Sequence, residues 1–213
     1  MRASSIRHPG MVRALALALV VLPAAAVGAG GTATLYGGYR AGGGFTDTNS
    51  GQSVDVEDSG SFSATFDLPT DAAREIRFLV SHQSSRFDVG SQPAAGTATL
   101  GGQSTSVTYL HLGGTYFYAG RIGSGPYLLG GLGATLFQPS LDGYSSEWRP
   151  SLSLGVGYLL PLGAGVSLRV EARGYVTLVD SEGDFFCSGG CVVSLRGDTF
   201  TQGEALLGLS VRF

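Results

Sequence analysis

Two residues in the middle of the chain carry the side chains of a nucleophile and a base. His82 and Ser84 are two residues apart in an alternating segment, so both lie on one face of the strand that this segment predicts. A histidine can take the proton of a serine hydroxyl, and an acidic residue can orient the histidine. No outward-facing Asp or Glu offers itself as the third member. We therefore interpret His82 as a residue of the strand end and predict that the protein is not an enzyme.

A second group consists of charges that recur at every second residue. Arg169, Glu171 and Arg173 alternate with apolar residues, so they share one face of a strand. The same alternation in other segments predicts a larger set of polar residues on the inner face, namely Arg40, Glu75, Arg77, His111, Arg169, Glu171, Arg173 and Glu204. Buried charges must be paired and hydrogen-bonded. We expect a nearly balanced polar network, and the alternative is a narrow gated pore that opens when one Arg–Glu pair breaks.

The two cysteines, Cys187 and Cys191, are separated by three residues. A metal site needs more ligands, and no other Cys or His is nearby, so we predict a disulfide that closes a small loop. Acidic residues of this loop could approach those of the first loop and hold a divalent cation, but a solvated acidic loop is favoured. These residues are Asp180, Glu182 and Asp184 in one loop and Asp55, Glu57 and Asp58 in the other. We expect no metal and no cofactor.

The elements that position these residues are eight segments with period-two alternation. They cover residues 32–41, 61–68, 74–83, 105–118, 126–137, 148–160, 166–179 and about 199–213. The connections between them run long, short, long, short, middling, short and long. The segments reach the roughly 9–11 residues that a tilted strand needs to cross a bilayer, except the second, which must borrow from its loop. Long loops on one side and tight turns on the other are typical of outer-membrane barrels.

The N-terminal residues predict export. Arg2, Arg7 and Arg13 precede the apolar run 14–22, and small residues follow, which is the pattern of a secretory signal peptide. We predict a signal peptide over residues 1–28 and a barrel domain over 29–213. Cleavage after Ala26 or Gly28 fits equally well, and either Met1 or Met11 could be the start.

The remaining charge argues against nucleic acid as a partner. The whole chain has a net charge of −3, and the part after the signal peptide has 10 arginines against 16 acidic residues, or −6, with no lysine. An acidic exported protein without a basic stripe does not bind nucleic acid well.

Two orientations of an eight-stranded barrel are compatible with alternation alone. A soluble lipocalin-like barrel would place the apolar faces inside and the charges outside. A membrane barrel inverts this, with lipid outside and a polar interior. The apolar faces repeat on all eight segments with almost no interruption by charge, which favours the membrane orientation.

Several stretches together resemble the small OmpA/OmpX-type outer-membrane β-barrel proteins of Gram-negative bacteria. They are residues 36–40 (YGGYR), 110–116 (LHLGGTY), 126–134, 168–175 and the aromatic ending at Phe213. The resemblance implies an all-β, eight-stranded antiparallel up-and-down transmembrane barrel in the cell outer membrane, without the periplasmic domain of larger OmpA proteins. It also implies that the last strand is an assembly signal for the barrel-assembly machinery, through Leu207, Leu209, Val211 and Phe213.

The functional expectation follows from this architecture. We expect a structural or surface-interaction role through the extracellular loops, as a monomer in contact with outer-membrane lipid and lipopolysaccharide. A narrow gated pore is the first alternative. The second is a lipid A-modifying enzyme, because outer-membrane lipid A deacylases use a lipid-facing His and Ser. Here Ser84-Ser85-Arg86 does not continue the pattern of that family.

Overall fold

The computed structural model describes residues 30–47, 53–88, 101–140, 145–179, 195–196 and 199–213. The predicted signal peptide and the predicted disulfide between Cys187 and Cys191 lie outside these ranges. None of the described residues forms a helix that is long and apolar enough to span a membrane.

Eleven strands make up the described structure. Eight of them are the staves of the barrel: β1 (Thr32–Ala41), β4 (Ser59–Pro69), β5 (Arg74–Asp88), β6 (Ser104–Phe117), β7 (Gly125–Pro139), β8 (Glu147–Gly163), β9 (Val166–Leu178) and β11 (Thr199–Arg212). The other three are short: β2 (Gly44–Asp47), β3 (Ser53–Val56) and β10 (Leu195–Arg196).

The barrel closes between its first and last staves. Thr32 lies opposite Arg212 and Ala41 lies opposite Gly203, so β1 and β11 pair along the full length of β1. The other staves pair antiparallel with their neighbours in chain order. The predicted eight-stranded, antiparallel, up-and-down barrel is confirmed.

One stretch that we predicted as a loop contains strands. Residues 42–60 include β2 and β3, and β3 continues the sheet beyond β4 by pairing Asp55 with Asp88 and Val56 with Phe87. Val54 and Val56 are buried at 0% and 3% exposure and pack into an apolar cluster. Only two apolar residues alternate here, which is too short a pattern to predict a strand. The second stave does extend into this loop, as expected, and begins at Ser59.

Apolar side chains face outward on all eight staves. Leu35, Val170 and Leu209 are 48%, 45% and 51% exposed, whereas Arg40 and Arg169 are fully buried in the interior. In water this arrangement would expose a greasy belt and bury charges, which is unfavourable on both counts. Acyl chains around the belt remove the first cost, so the soluble lipocalin-like alternative is excluded. Aromatic side chains lie near both rims of the belt, with Tyr39 and Trp148 at the loop end and Tyr118 and Tyr158 at the turn end.

The interior is filled in three layers. An apolar cluster lies toward the loop end and includes Val54, Phe87, Val107, Phe137 and Phe200. A charged and hydroxyl-rich layer occupies the middle. A second apolar cluster, formed by Phe117, Tyr127, Leu129 and Leu159, lies toward the short turns. Eight-stranded barrels are just wide enough for side chains to fill them.

Two inward-facing glycines make room for the tyrosines of the middle layer. A Cβ atom at Gly157 would lie 2.4 Å from the Tyr127 ring, and one at Gly208 would lie 2.3 Å from the Tyr36 ring. Real Cβ atoms do not approach that closely, so any side chain at these positions would push a tyrosine out of place. These glycines therefore shape the site that the tyrosines help to form.

Candidate functional site: the barrel interior and its outer rim

Glu171 is the acceptor for four side chains from four different staves. The hydroxyls of Tyr36 and Tyr127 both donate to its Oε1, each at 2.6 Å. Arg77 donates to the same oxygen at 3.0 Å, and Arg173 Nε donates to Oε2 at 2.6 Å. Two charged and two neutral donors satisfy this carboxylate, so its burial in a low-dielectric interior is compensated.

Asp67 is a second acceptor in the same layer. Its Oδ1 accepts from Arg77 Nε at 2.5 Å, and its Oδ2 accepts from Arg169 Nη1 at 3.0 Å. Our prediction of the interior network omitted this residue, although the alternation of segment 61–68 puts it on the inner face. It lies two residues before Pro69, at the end of the shortest predicted segment, where the pattern is least conclusive. With Asp67 included, four arginines face four carboxylates instead of the predicted three.

The upper half of the middle layer is built around Arg40 and Glu204. Arg40 donates to Glu204 Oε1 through Nη2 at 2.7 Å and also contacts Ser81, while Tyr175 donates to Glu204 Oε2 at 2.7 Å. The Arg40 guanidinium lies 4.9 Å from the ring centroid of Tyr109 and 5.1 Å from that of Tyr175. Two aromatic faces and one carboxylate thus surround this guanidinium and stabilise its charge.

A pair of glutamines joins this cluster to the loop end. Tyr109 donates to Gln202 Oε1 at 2.9 Å, and Gln202 Nε2 donates to Gln83 Oε1 at 3.1 Å. Gln83 in turn donates to Ser59 at 2.9 Å. Gln202 and Gln83 occupy inward positions of their predicted segments, but as neutral residues they were not among the predicted members of the network.

His111 and Glu75 lie inside the barrel, but they are weakly tied to the ion pairs. The two ring nitrogens of His111 lie 2.8 Å from the hydroxyls of Ser153 and Ser151, so the histidine belongs to a neutral hydroxyl cluster. Glu75 forms a single long ion pair of 3.6 Å with Arg169, and its Oε2 has no hydrogen-bond partner in the described part of the chain. The structure thus brings six of the eight predicted residues into tight ion pairs and leaves these two at the edge.

His82 and Ser84 lie on the outer face, close to the loop end of β5. His82 Nε2 is 3.1 Å from Ser84 Oγ, and its Nδ1 is 2.8 Å from Thr108 Oγ1. The third position of a catalytic triad is therefore held by a hydroxyl, which cannot stabilise an imidazolium as a carboxylate does. This arrangement positions two hydroxyls around the His82 ring at the rim.

The residues of the last stave that we expected to act in assembly face the lipid. Leu207, Leu209 and Val211 are 56%, 51% and 48% exposed. The Phe213 ring stacks on Phe66 at a centroid distance of 6.0 Å. Their recognition by the assembly machinery stays a prediction.

Comparison with known proteins finds similarity in structure alone. No protein-family model and no curated protein matches the sequence. The outer membrane protein AlkL, whose structure was determined in lipid bilayers, superposes with a TM-score of 0.56 at 17% identity, over 86% of this chain and 90% of that one. Neisserial surface protein A (TM-score 0.49, 14% identity, 86% and 97% covered) and OprG of Pseudomonas aeruginosa (0.49, 14%, 86% and 96%) are further matches.

The fold is that of a small outer-membrane barrel. Because the barrel is closed, the backbone N–H and C=O groups of each stave can hydrogen-bond to the neighbouring staves. A β-sheet must satisfy its backbone groups in this way to be stable in the hydrocarbon of a bilayer. The outward belt and the polar interior match the inside-out pattern of this class. The chain is therefore an integral outer-membrane β-barrel protein, which confirms the predicted fold, family resemblance and location.

Proposed function

We propose that this protein is a sealed outer-membrane barrel that carries a surface-interaction platform on its extracellular side. The observation that supports the proposal best is the filled interior. Arg40 and Arg169 have no solvent exposure, and apolar clusters lie above and below the ionic layer. A solute would have to separate paired charges in a medium where unpaired charges are very costly, so the barrel serves as an anchor rather than as a conduit.

The wall continues beyond the belt as a small extracellular sheet. β3 pairs with the end of β5, β2 pairs with β3, and β10 pairs with β2 through Leu195–Asp47 and Arg196–Thr46. Segments from the first and last long connections are thus joined by backbone hydrogen bonds. A preorganised surface loses less entropy on binding than a floppy loop does.

The described part of this platform is acidic. Asp55, Glu57 and Asp58 are exposed at its edge. A negative field attracts basic surfaces and repels nucleic acid and other polyanions. We therefore expect the partner to be a macromolecular surface with basic groups.

Conductance and cell assays test the two halves of the proposal separately. The purified protein should remain silent in planar bilayers over a range of voltages, and discrete conductance steps would overturn the sealed interior. A deletion strain should lose adhesion or serum survival while its permeability to small solutes stays unchanged. A change in permeability alone would favour the pore, and altered acylation of lipid A would favour the enzyme.

A charge variant tests the platform within the folded protein. Asp55→Asn with Asp58→Asn should fail to restore adhesion or serum survival to the deletion strain, because the acidic field is weakened. Asp71→Asn on a short turn is the matched control, since it removes one charge at the opposite end of the barrel and keeps the oxygen that caps Ala73 and Arg74. Full restoration by the double variant would contradict the acidic platform.

A further inference from the structure

The wall of the barrel has one irregularity at the level where it leaves the belt. β3 pairs with β5 up to Val56 opposite Phe87, and β4 pairs with β5 from Ser61 opposite Gln83. Between these ladders, four residues (57–60) face three residues (84–86), which is the count of a β-bulge. Side chains hold this point together, because Ser59 Oγ donates to the Ser84 carbonyl at 3.0 Å and Ser85 Oγ donates to the Glu57 carbonyl.

A cleft of about 560 Å³ opens at the bulge. Its lining is dominated by hydroxyl groups from the ends of β4, β5 and β6: Ser59, Ser84, Ser85, Ser104 and Ser106. Gln138 of β7 adds an amide. The volume falls within the range of roughly 300–1,000 Å³ that small-ligand sites occupy.

The cleft lies at the height of lipid headgroups. Val80 and Leu110 are paired across β5 and β6 and belong to the lipid-facing belt, at 47% and 39% exposure. His82 and Thr108 form the next outward pair, and Ser84 follows with Ser106. At about 3.3 Å per residue, Ser84 is roughly 13 Å along the strand from Val80, or about 10 Å along the membrane normal for a strand tilted by about 40°. The apolar outward residues of β5 end at Val80, so Ser84 lies in the interfacial region.

The outward hydroxyls around the cleft are held in place for a hydrogen-bonding ligand. His82 is fixed between Thr108 and Ser84, so its ring and both hydroxyls are already oriented. Ser106 lies opposite Ser84 on β6, and Ser106 and Ser104 line the same cleft from the outer face. Thr105 between them is buried on the inner face with Val107, so its hydroxyl is not part of the site.

The charges of the cleft select the class of ligand. The lining includes one arginine, Arg86, and one glutamate, Glu57. Apart from His82, which can accept a proton, the other lining side chains are not ionisable. A bare phosphate would meet a carboxylate as well as a guanidinium. Sugar hydroxyls donate and accept hydrogen bonds, so they complement neutral hydroxyls, an amide and both charged groups.

We propose that this cleft binds the sugar headgroup of an outer-leaflet glycolipid, of which lipopolysaccharide is the member that surrounds such a barrel. The acyl chains lie on the belt below, around Val80 and Leu110, while the sugar enters the cleft at the bulge. The site is on the outer wall and shares only Glu57 with the acidic edge of the platform, and the platform variant leaves Glu57 unchanged. It can therefore fail while the proposed surface role stands, and the reverse is also true.

The test is a titration of deep-rough lipopolysaccharide into isotope-labelled protein in neutral detergent micelles, with backbone amide shifts as the readout. Shifts should concentrate at residues 57–60, 84–86 and 104–106. Phosphatidylglycerol, which is anionic but carries no sugar, should leave these amides unmoved. Shifts confined to other parts of the barrel, or equal shifts with both lipids, would overturn the proposal.

Variants measure the contribution of the hydroxyls. Ser84→Ala, Ser104→Ala and Ser106→Ala should each weaken lipopolysaccharide binding by about fivefold, and together by more than about tenfold. Ser124→Ala changes an exposed serine on a short turn at the opposite end and should bind like the wild type. A triple variant that keeps wild-type affinity would contradict the assignment. The amide map of the wild type decides the matter even if the triple variant does not fold.

Discussion

Glu171 and Glu75 are both buried glutamates of the interior, yet the structure predicts very different costs for neutralising them. Glu171→Gln removes the charge that faces Arg77 and Arg173 and replaces one oxygen by an NH₂ group. Glu75→Gln removes only a 3.6 Å ion pair with Arg169. Both substitutions preserve side-chain volume, so packing is unchanged and the comparison isolates electrostatics.

The expected magnitudes follow from the partners that each change leaves behind. Breaking a buried ion pair on one side costs about 3–5 kcal/mol, because the remaining charge stays buried without compensation. Glu171→Gln leaves Arg173 in that state, whereas Arg77 retains its ion pair with Asp67, so we expect about 3 kcal/mol. Glu75 has one distant partner, and Arg169 retains its bond with Asp67, so we expect less than about 1 kcal/mol for Glu75→Gln.

Urea unfolding in detergent micelles, followed by tryptophan fluorescence or circular dichroism, measures the difference. With a slope of about 2 kcal/mol/M, the midpoint should fall by about 1.5 M for Glu171→Gln and by less than about 0.5 M for Glu75→Gln. Equal shifts, or a larger shift for Glu75→Gln, would refute the assignment of Glu171 as the main acceptor of the interior.

Three further changes test other parts of the barrel. Gly157→Ala should destabilise the protein by about 1–3 kcal/mol because the new methyl group displaces a buried tyrosine, whereas Gly203→Ala on the open outer face should be close to neutral, and unfolding midpoints of the pair check this. Val170→Arg, within the belt, should cost about 2 kcal/mol and more than Leu178→Arg at its edge, as measured by folding into lipid vesicles. Asp67→Asn should cost about 3 kcal/mol in the urea assay, since Arg77 and Arg169 each lose an ion pair and Arg169 keeps only the distant Glu75. A neutral result would remove Asp67 from the network.

Period-two alternation was enough to predict the staves and their orientation. Each stave must present one face to lipid and the other to the interior. The apolar Val170 and the charged Arg169 can therefore be assigned to the outer and inner faces from their residue types. The connections alternate in length because long loops occur at the extracellular end of the barrel and short turns at the periplasmic end. These are constraints that the bilayer imposes on the sequence, and they can be predicted without a structure.

The partners within the interior could not be predicted in the same way. Alternation says that Glu171 points inward, but it does not say that Tyr36 and Tyr127 meet it from staves 135 and 44 residues away in the chain. Those contacts depend on the stagger of the staves around the barrel. Tyrosines were also ambiguous, since aromatic residues occur on the lipid face as well as inside.

The bulge was beyond prediction for a related reason. It arises where β3 and β4 meet β5 with unequal numbers of residues, and nothing in the polar stretch from 42 to 60 indicates that count. The residue types of His82 and Ser84 mark them as candidates in the sequence. Their partners on the neighbouring strands, Thr108 and Ser59, depend on the strand register, which the sequence does not specify.

The hydrogen bonds and ion pairs of Glu171 have a consequence for how the protein unfolds. Its donors lie on β1, β5, β7 and β9, so removing β5 or β9 breaks the buried Arg77–Glu171 ion pair, and removing β1 or β7 takes away one of the two hydroxyl donors. A partly unfolded barrel is therefore not a stable intermediate, and pulling on one strand should unfold the whole barrel in a single cooperative step. Force spectroscopy on the protein reconstituted in a lipid bilayer should show one dominant unfolding peak instead of a series of peaks from successive β-hairpins.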